Sequence, residues 1–205
     1  MKEIILFFIS LWVVHLIYGQ STNENVSTIL NDNGRFGELE IGRSTLDEIL
    51  VNYGANCSVN PGHSMSGDYM CVVGITIDSI LNSPPTSKWI EFKDLGLVFQ
   101  VSLKTESYNV LESVEASIPS QVVTNTGLVL GKSKIKDVWK EYNFPQQIYY
   151  FDESLVFSYS ELGLGFHFDI KEFGTKYPSS VFIDKNEIPN EFYETIELVK
   201  ITIRK

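Results

Sequence analysis

Two stretches of alternating apolar residues constrain the fold of this chain more than any other feature. Residues 89–103 and 156–170 align at an offset of 67 residues, which places Gly96 on Gly163. Apolar residues occupy every second position in both stretches: Leu95, Leu97, Phe99, Val101 and Leu103 in the first, and Leu162, Leu164, Phe166, Phe168 and Ile170 in the second. Alternation with a period of two predicts a β-strand that buries one face. The chain is therefore predicted to contain an internal duplication built on such strands.

Two short amphipathic helices are predicted at an offset of 89 residues. Ser44 is the expected N-cap of the first helix, with Asp47 completing a partial capping box, and Ser133 is the matching residue of the second. Each helix has one apolar stripe, formed by Leu46, Ile49, Leu50 and Tyr53 in the first and by Ile135, Val138, Trp139 and Tyr142 in the second. Gly54 and Asn143 follow the stripes as expected helix ends.

A third correspondence, at an offset of 85 residues, predicts a closing strand in each half. It aligns Leu111, Glu112, Val114 and Ile118 with Ile196, Glu197, Val199 and Ile203. Together the three correspondences predict an α+β fold of two tandem repeats, each a short helix packed on an antiparallel sheet of about four strands. The expected domains are a signal peptide (1–19), a flexible leader (20–36), repeat 1 with a cysteine-containing insertion (37–120) and repeat 2 with an insertion near 171–190 (121–205).

The N-terminal residues predict export. A basic start at Lys2 precedes an apolar-dominated run from Ile4 to Ile17, and small Gly19 follows, as in a secretory signal. We expect cleavage after Gly19, which leaves no stable membrane span. The run is shorter than the roughly 20 residues that a spanning helix needs, although an uncleaved anchor is the alternative. The expected location is secreted or periplasmic.

The only two cysteines, Cys57 and Cys71, lie in the part of the chain expected to be exported. An even number of cysteines in an oxidising compartment predicts one disulfide between them. It would close a loop of about 15 residues, for which chain entropy predicts roughly 3 kcal/mol of stabilisation. Two unpaired buried thiols are the alternative, and the spacing of nearby ligand residues matches no familiar zinc pattern.

Charge and motifs exclude several classes of ligand. The formal net charge of −10 argues against a nucleic-acid partner, whose phosphates would be repelled. Residues 127–133 resemble a phosphate-binding loop, but only three residues separate the two glycines, so we expect no nucleotide and no other cofactor. His167 is expected at the surface, because it alternates with Phe166 and Phe168. Since no nucleophile motif accompanies a histidine, the chain is predicted not to be an enzyme.

Five residues are candidates for binding a partner, which we expect to be another protein. Phe173, Tyr177 and Phe182 are aromatic residues of the second insertion, and they need either a core or a partner to cover them. Lys136 and Lys140 share one face of the second helix and form a basic cluster in an acidic chain. A solvated helix face is the alternative interpretation of the two lysines.

The two helix starts carry a resemblance to known exported modules. They read Ile41-Gly42-Arg43-Ser44 followed by Leu46 and Ile49, and Leu130-Gly131-Lys132-Ser133 followed by Ile135 and Val138. This pattern resembles the modules of the BamE/SmpA outer-membrane assembly component and the tandem modules of the β-lactamase inhibitory protein. The chain departs from them in lacking a lipid-attachment cysteine and in showing one predicted helix per module instead of two. The resemblance implies a non-catalytic protein-binding module in the cell envelope or outside it.

The leading hypothesis is therefore an exported, non-catalytic protein-binding module of the envelope, inhibitor or immunity type. A small carboxylate-dependent extracytoplasmic hydrolase and a structural envelope component are the alternatives. A hydrolase predicts convergent acids or histidines in one pocket, whereas a binding module predicts a broad patch rimmed by aromatic residues.

Overall fold

A nine-stranded antiparallel sheet forms the centre of the molecule. The computed structural model describes residues 28–31, 33–61, 87–102, 110–151, 153–171 and 181–204. The strands are β1 (Thr28–Asn31), β2 (Arg35–Phe36), β3 (Leu39–Glu40), β4 (Ser58–Pro61), β5 (Ser87–Phe92), β6 (Leu97–Ser102), β7 (Val110–Ser117), β8 (Val122–Thr124), β9 (Gln147–Phe151), β10 (Ser154–Tyr159), β11 (Leu164–Asp169), β12 (Val181–Phe182) and β13 (Leu198–Arg204). The helices are α1 (Leu46–Tyr53), α2 (Ile135–Tyr142) and α3 (Asn190–Thr195), with 3-10 turns at Lys93–Leu95 and Lys185–Glu187.

The strand order brings the two halves of the chain edge to edge. The large sheet runs β12-β9-β10-β11-β13-β7-β6-β5-β4, and a second sheet of four strands runs β3-β2-β1-β8. The join in the large sheet is the antiparallel pair β7–β13, which extends from Ser117 opposite Lys200 to Ser113 opposite Arg204. In the smaller sheet, β1 lies parallel to β8.

The predicted fold class, an α+β fold of two helix-on-sheet repeats, is wrong. The described residues contain thirteen strands and only three α-helices, and one continuous sheet replaces two sheets of about four strands each. Pairing β7 with β13 satisfies backbone groups that would otherwise line two exposed edges. Alternation within a strand predicts its buried face, but it gives no information about which edge pairs with which, so the sequence pattern missed this join.

The predicted alternation is confirmed in β6 and β11, but in each strand it starts two residues later than predicted. Leu97 and Leu164 are buried, whereas Leu95 and Leu162 lie in the preceding turns and are 43% and 37% exposed. Each turn ends at a glycine in the left-handed region, and Gly163 has φ 68°. These residues leave the strand because the chain reverses direction there.

The closing strands correspond at an offset of 87 residues, not at the predicted 85. Leu111 lies opposite Val101 in the first half, and Leu198 lies opposite Phe168 in the second. A shift of two residues keeps every side chain on the same face, so the alternating pattern cannot distinguish the two offsets.

The helix caps differ from the prediction by one residue. Thr45 is the N-cap of α1, and its amide donates to the Glu48 carboxylate at 2.8 Å. The Ser44 hydroxyl instead accepts from the Glu40 amide at 3.0 Å, and Ser133 makes the corresponding bond in the second half. Both serines therefore close the turn that precedes the helix.

One face of the large sheet carries the hydrophobic core. The rings of Tyr53 in α1 and Phe99 in β6 lie 5.0 Å apart, and those of Tyr142 in α2 and Phe166 in β11 lie 5.1 Å apart. Phe36 of the small sheet also contacts Phe99, at 6.0 Å between ring centroids. The two helices and the small sheet therefore pack on the same face of the large sheet.

Residues 28–31 and 35–36 of the predicted flexible leader (20–36) form β1 and β2. Leu30 in β1 and Phe36 in β2 are almost completely buried in the common core. Burying these two apolar side chains stabilises the segment despite its content of Ser, Thr and Asn. The second insertion is also structured where it is described, because Ile183 and Ile188 are buried beside β12 and the turn that follows it.

Candidate protein-binding face

The side of the large sheet turned away from α1 and α2 is the candidate site, and we call it the open face. Its side chains come from the strand positions that alternate with the core residues. His167 lies between Phe166 and Phe168 in β11, and Trp89 lies between Lys88 and Ile90 in β5. The direction predicted for His167 is therefore confirmed, although the side chain is half-buried instead of fully exposed.

The centre of the open face is polar and internally hydrogen-bonded. The Ser113 hydroxyl donates to Oε1 of Gln100 at 2.9 Å. Nζ of Lys200 lies 3.5 Å from a carboxylate oxygen of Glu115, which makes a partly exposed ion pair between β13 and β7. Such pairs contribute little to stability in water, so both charges can also interact with a partner.

His167 is held in its neutral form. Burial, together with the positive charges of Lys200 and Arg204, lowers the pKa of the imidazole to about 3. Nε2 of His167 lies 3.5 Å from Oγ1 of Thr202 on the neighbouring strand. The ring reaches this position because Gly165, two residues earlier, has no side chain between them.

Aromatic side chains line the β9 and β12 edge of the open face. Phe182 is 70% exposed and Phe151 is 44% exposed. The rings of Tyr149 and Phe182 meet edge to face, with centroids 6.5 Å apart. We call Tyr149, Phe151 and Phe182 the aromatic rim. Large apolar side chains grouped at the surface in this way are typical of interaction sites.

The structure places the predicted partner-binding residues on opposite sides of the sheet. Phe182 belongs to the aromatic rim, whereas Phe173 and Tyr177 lie outside the described residues. Lys136 and Lys140 lie on α2, on the side of the helices. Lys136 forms an ion pair with Glu194 of α3, and this pair raises the pKa of the lysine. Among the predicted residues that the structure describes, Phe182 therefore does not share a site with Lys136 and Lys140.

Cys57 is buried next to the core, and burial raises the pKa of its thiol. Cys71 lies outside the described residues. The disulfide between them therefore stays a prediction.

Several important residues were missed by the sequence analysis, although strand parity carried a signal for them. Tyr149 and Phe151 alternate with the buried Ile148 and Tyr150, which places the first two on the open face. Lys88 instead shares its side of β5 with the buried Ile90 and Phe92 and is itself buried on the core side, where burial lowers the pKa of its ammonium group. These strands had to be located before their parity could be used.

The described part of the chain offers neither a metal centre nor a membrane-spanning helix. No three His, Cys, Asp or Glu side chains within the described ranges are placed to hold a metal ion together. No helix in these ranges is both long and apolar enough to span a membrane. The segment predicted as a signal peptide lies outside the described residues.

Comparison of the chain with models of protein families, with curated proteins and with solved structures finds no match. The resemblance of the helix starts to exported binding modules therefore stays a prediction, and the geometry of the open face carries the functional argument.

Proposed function

We propose that the protein is an exported, non-catalytic protein-binding module of the envelope, inhibitor or immunity type, and that its open face receives the partner. The observation that carries this proposal is the aromatic rim, in which Phe182 and Phe151 are exposed on neighbouring strands at one edge of the large sheet. Aromatic residues are enriched in protein interfaces, where they supply large contact areas at low cost in conformational entropy.

The polar centre beside the rim supports the same function. The Gln100–Ser113 hydrogen bond and the Glu115–Lys200 ion pair fix polar groups in place before a partner arrives. Preorganised groups of this kind favour specificity, because a partner must match their positions and charges. An apolar rim beside such a centre has the arrangement of a protein interface.

Site-specific photo-crosslinking tests the proposal. A benzoylphenylalanine residue replaces Phe182 on the open face or, as a control, Val51 on α1, which is 84% exposed on the other side of the sheet. Each chain is expressed in its native host and irradiated in the extracytoplasmic fraction. We expect a defined protein adduct from position 182 and little or none from position 51. Equal adducts at both positions, or none at either, would contradict the proposal.

A substitution pair checks the same surface without a crosslinker. Phe182→Ser should lower the amount of partner recovered with the chain at least tenfold, because it removes the most exposed member of the rim. Val51→Ser should leave recovery unchanged. A loss in both variants would show that recovery does not depend on the open face.

A further inference from the structure

The two halves of the open face follow the same backbone path, so their side chains can be compared position by position. The Ser117 amide donates to the Gly96 carbonyl and the Arg204 amide donates to the Gly163 carbonyl, each at 2.8 Å. The register shifts at Gln100 in β6 and at the equivalent residue of β11 in the second half. β6 and β7 of one half therefore correspond to β11 and β13 of the other.

The two halves differ in the sign of their charge. In the first half, Glu91 and Glu115 occupy positions equivalent to Ser158 and Thr202 in the second. In the second half, the basic residues of β13 occupy positions that are serines in β7: Lys200 matches Ser113 and Arg204 matches Ser117. Asp169, at the end of β11, is the carboxylate of the second half. Among the open-face residues that are paired in the strand register, the first half thus carries −2 and the second +2 − 1 = +1.

A face with one acidic and one basic half is complementary to itself. Resting on the proposed function, we propose that the partner of the open face is a second copy of this chain, packed face to face about a two-fold axis parallel to the strands. This axis places the acidic half of each copy over the basic half of the other. An axis perpendicular to the strands would instead place acidic halves on each other, which is electrostatically unfavourable.

The strand register supports this arrangement. Glu115 lies directly opposite Thr202 within one chain, so the rotation carries it over Thr202 of the second copy. Lys200 and Arg204 lie two residues before and two residues after Thr202 on the same face of β13, each roughly 6.6 Å from it along the strand. Each Glu115 would then lie between two cations of the second copy, in addition to its own Lys200.

The size of the face is sufficient for a stable pair. Nine strands at a spacing of about 4.8 Å, with about six residues each at 3.3 Å per residue, give a surface of roughly 40 by 20 Å, or about 800 Å². A specific protein interface buries about 800 Å² on each partner. The same rotation brings the aromatic rim over the β4 edge of the second copy, because β4 and β9 lie equally far from the axis.

Charge-reversal variants test the pairing by analytical ultracentrifugation of the exported chain at low salt. The basic variant carries Glu91→Lys and Glu115→Lys, and the acidic variant carries Lys200→Glu and Arg204→Glu. We expect the natural chain to dimerise and each variant alone to show a dissociation constant at least tenfold higher. An equimolar mixture of the two variants should restore the dimer, because opposite charges again face each other. Lys140→Glu, an exposed change on the side of the helices, is the matched control and should leave the dimer intact.

Several outcomes would overturn the inference. A natural chain that is monomeric at tens of micromolar contradicts it, as do variants that dimerise as well as the natural chain or a mixture that does not. Circular dichroism of each variant checks that it folds. The crosslinker at position 182 gives a second readout: in a chain without charge reversals, it should form an adduct of twice the chain mass. An adduct with a different protein and no dimer would leave the proposed function standing and reject only the second copy as partner.

Discussion

The two faces of β11 show how one strand serves two purposes. Phe166 and Phe168 point to the helices and are fully buried, whereas His167 between them points to the open face. On the covered face, neighbouring rings and aliphatic chains supply the stabilising contacts. On the open face, hydrogen bonds and ion pairs between strands take their place. The comparison teaches that apolar packing holds the covered face together, whereas polar contacts between strands hold the open face together.

The largest expected effect comes from truncating a core ring. Phe166→Ala removes a fully buried ring that contacts Tyr142 and Tyr159, so we expect a loss of about 3–5 kcal/mol in the free energy of unfolding. Phe182→Ala removes the same ring from the open face and should change that free energy by less than about 0.5 kcal/mol. Urea denaturation of both variants measures the difference. Similar losses would mean that the open face is part of the core.

The turn that joins β10 to β11 should show the next largest effect. Gly163 has φ 68°, and a Cβ there would collide with the backbone carbonyl of Arg204. Because backbone cannot move aside as a flexible side chain can, Gly163→Ala should cost about 2–4 kcal/mol. Gly54 has φ 84° but open space around it, so Gly54→Ala should cost only about 1 kcal/mol from backbone strain. Equal losses in thermal denaturation would mean that the collision adds nothing to the strain.

The sequence predicted local features better than their assembly. The alternation at Phe99 and Phe166 correctly predicted two strands and their buried faces, and the apolar stripes predicted α1 and α2. The join of β7 to β13 depends on edge pairing over a long sequence separation, which alternation does not encode. The core role of Phe36 was missed because its neighbours are polar. Of the candidate site, only Phe182 was predicted, since the other rim residues required knowledge of where β9 lies.

The smallest expected effect is a dependence of stability on pH that originates at the open face. His167 has a pKa of about 3 in the folded chain, below the value near 6.5 that an unfolded histidine has. Above pH 6.5 the residue is neutral in both states and adds no dependence. As the pH falls from 6.5 toward 3, the unfolded chain binds a proton that the folded chain does not, so the free energy of unfolding decreases.

His167→Gln removes this contribution, and glutamine suits the position because Gln100 occupies the equivalent place in β6. Between pH 7 and pH 4.5, we expect the free energy of unfolding of the variant to decrease by about 1–2 kcal/mol less than that of the natural chain. The difference stays this small because the ring is half-buried and solvent partly screens its charge. Urea denaturation at both pH values gives this difference, and taking it between the two chains cancels the carboxylates that titrate over the same range. Equal decreases in the free energy of unfolding of the two chains would show that folding does not shift the pKa of His167. The open face would then be as accessible to water around His167 as it is at the rim.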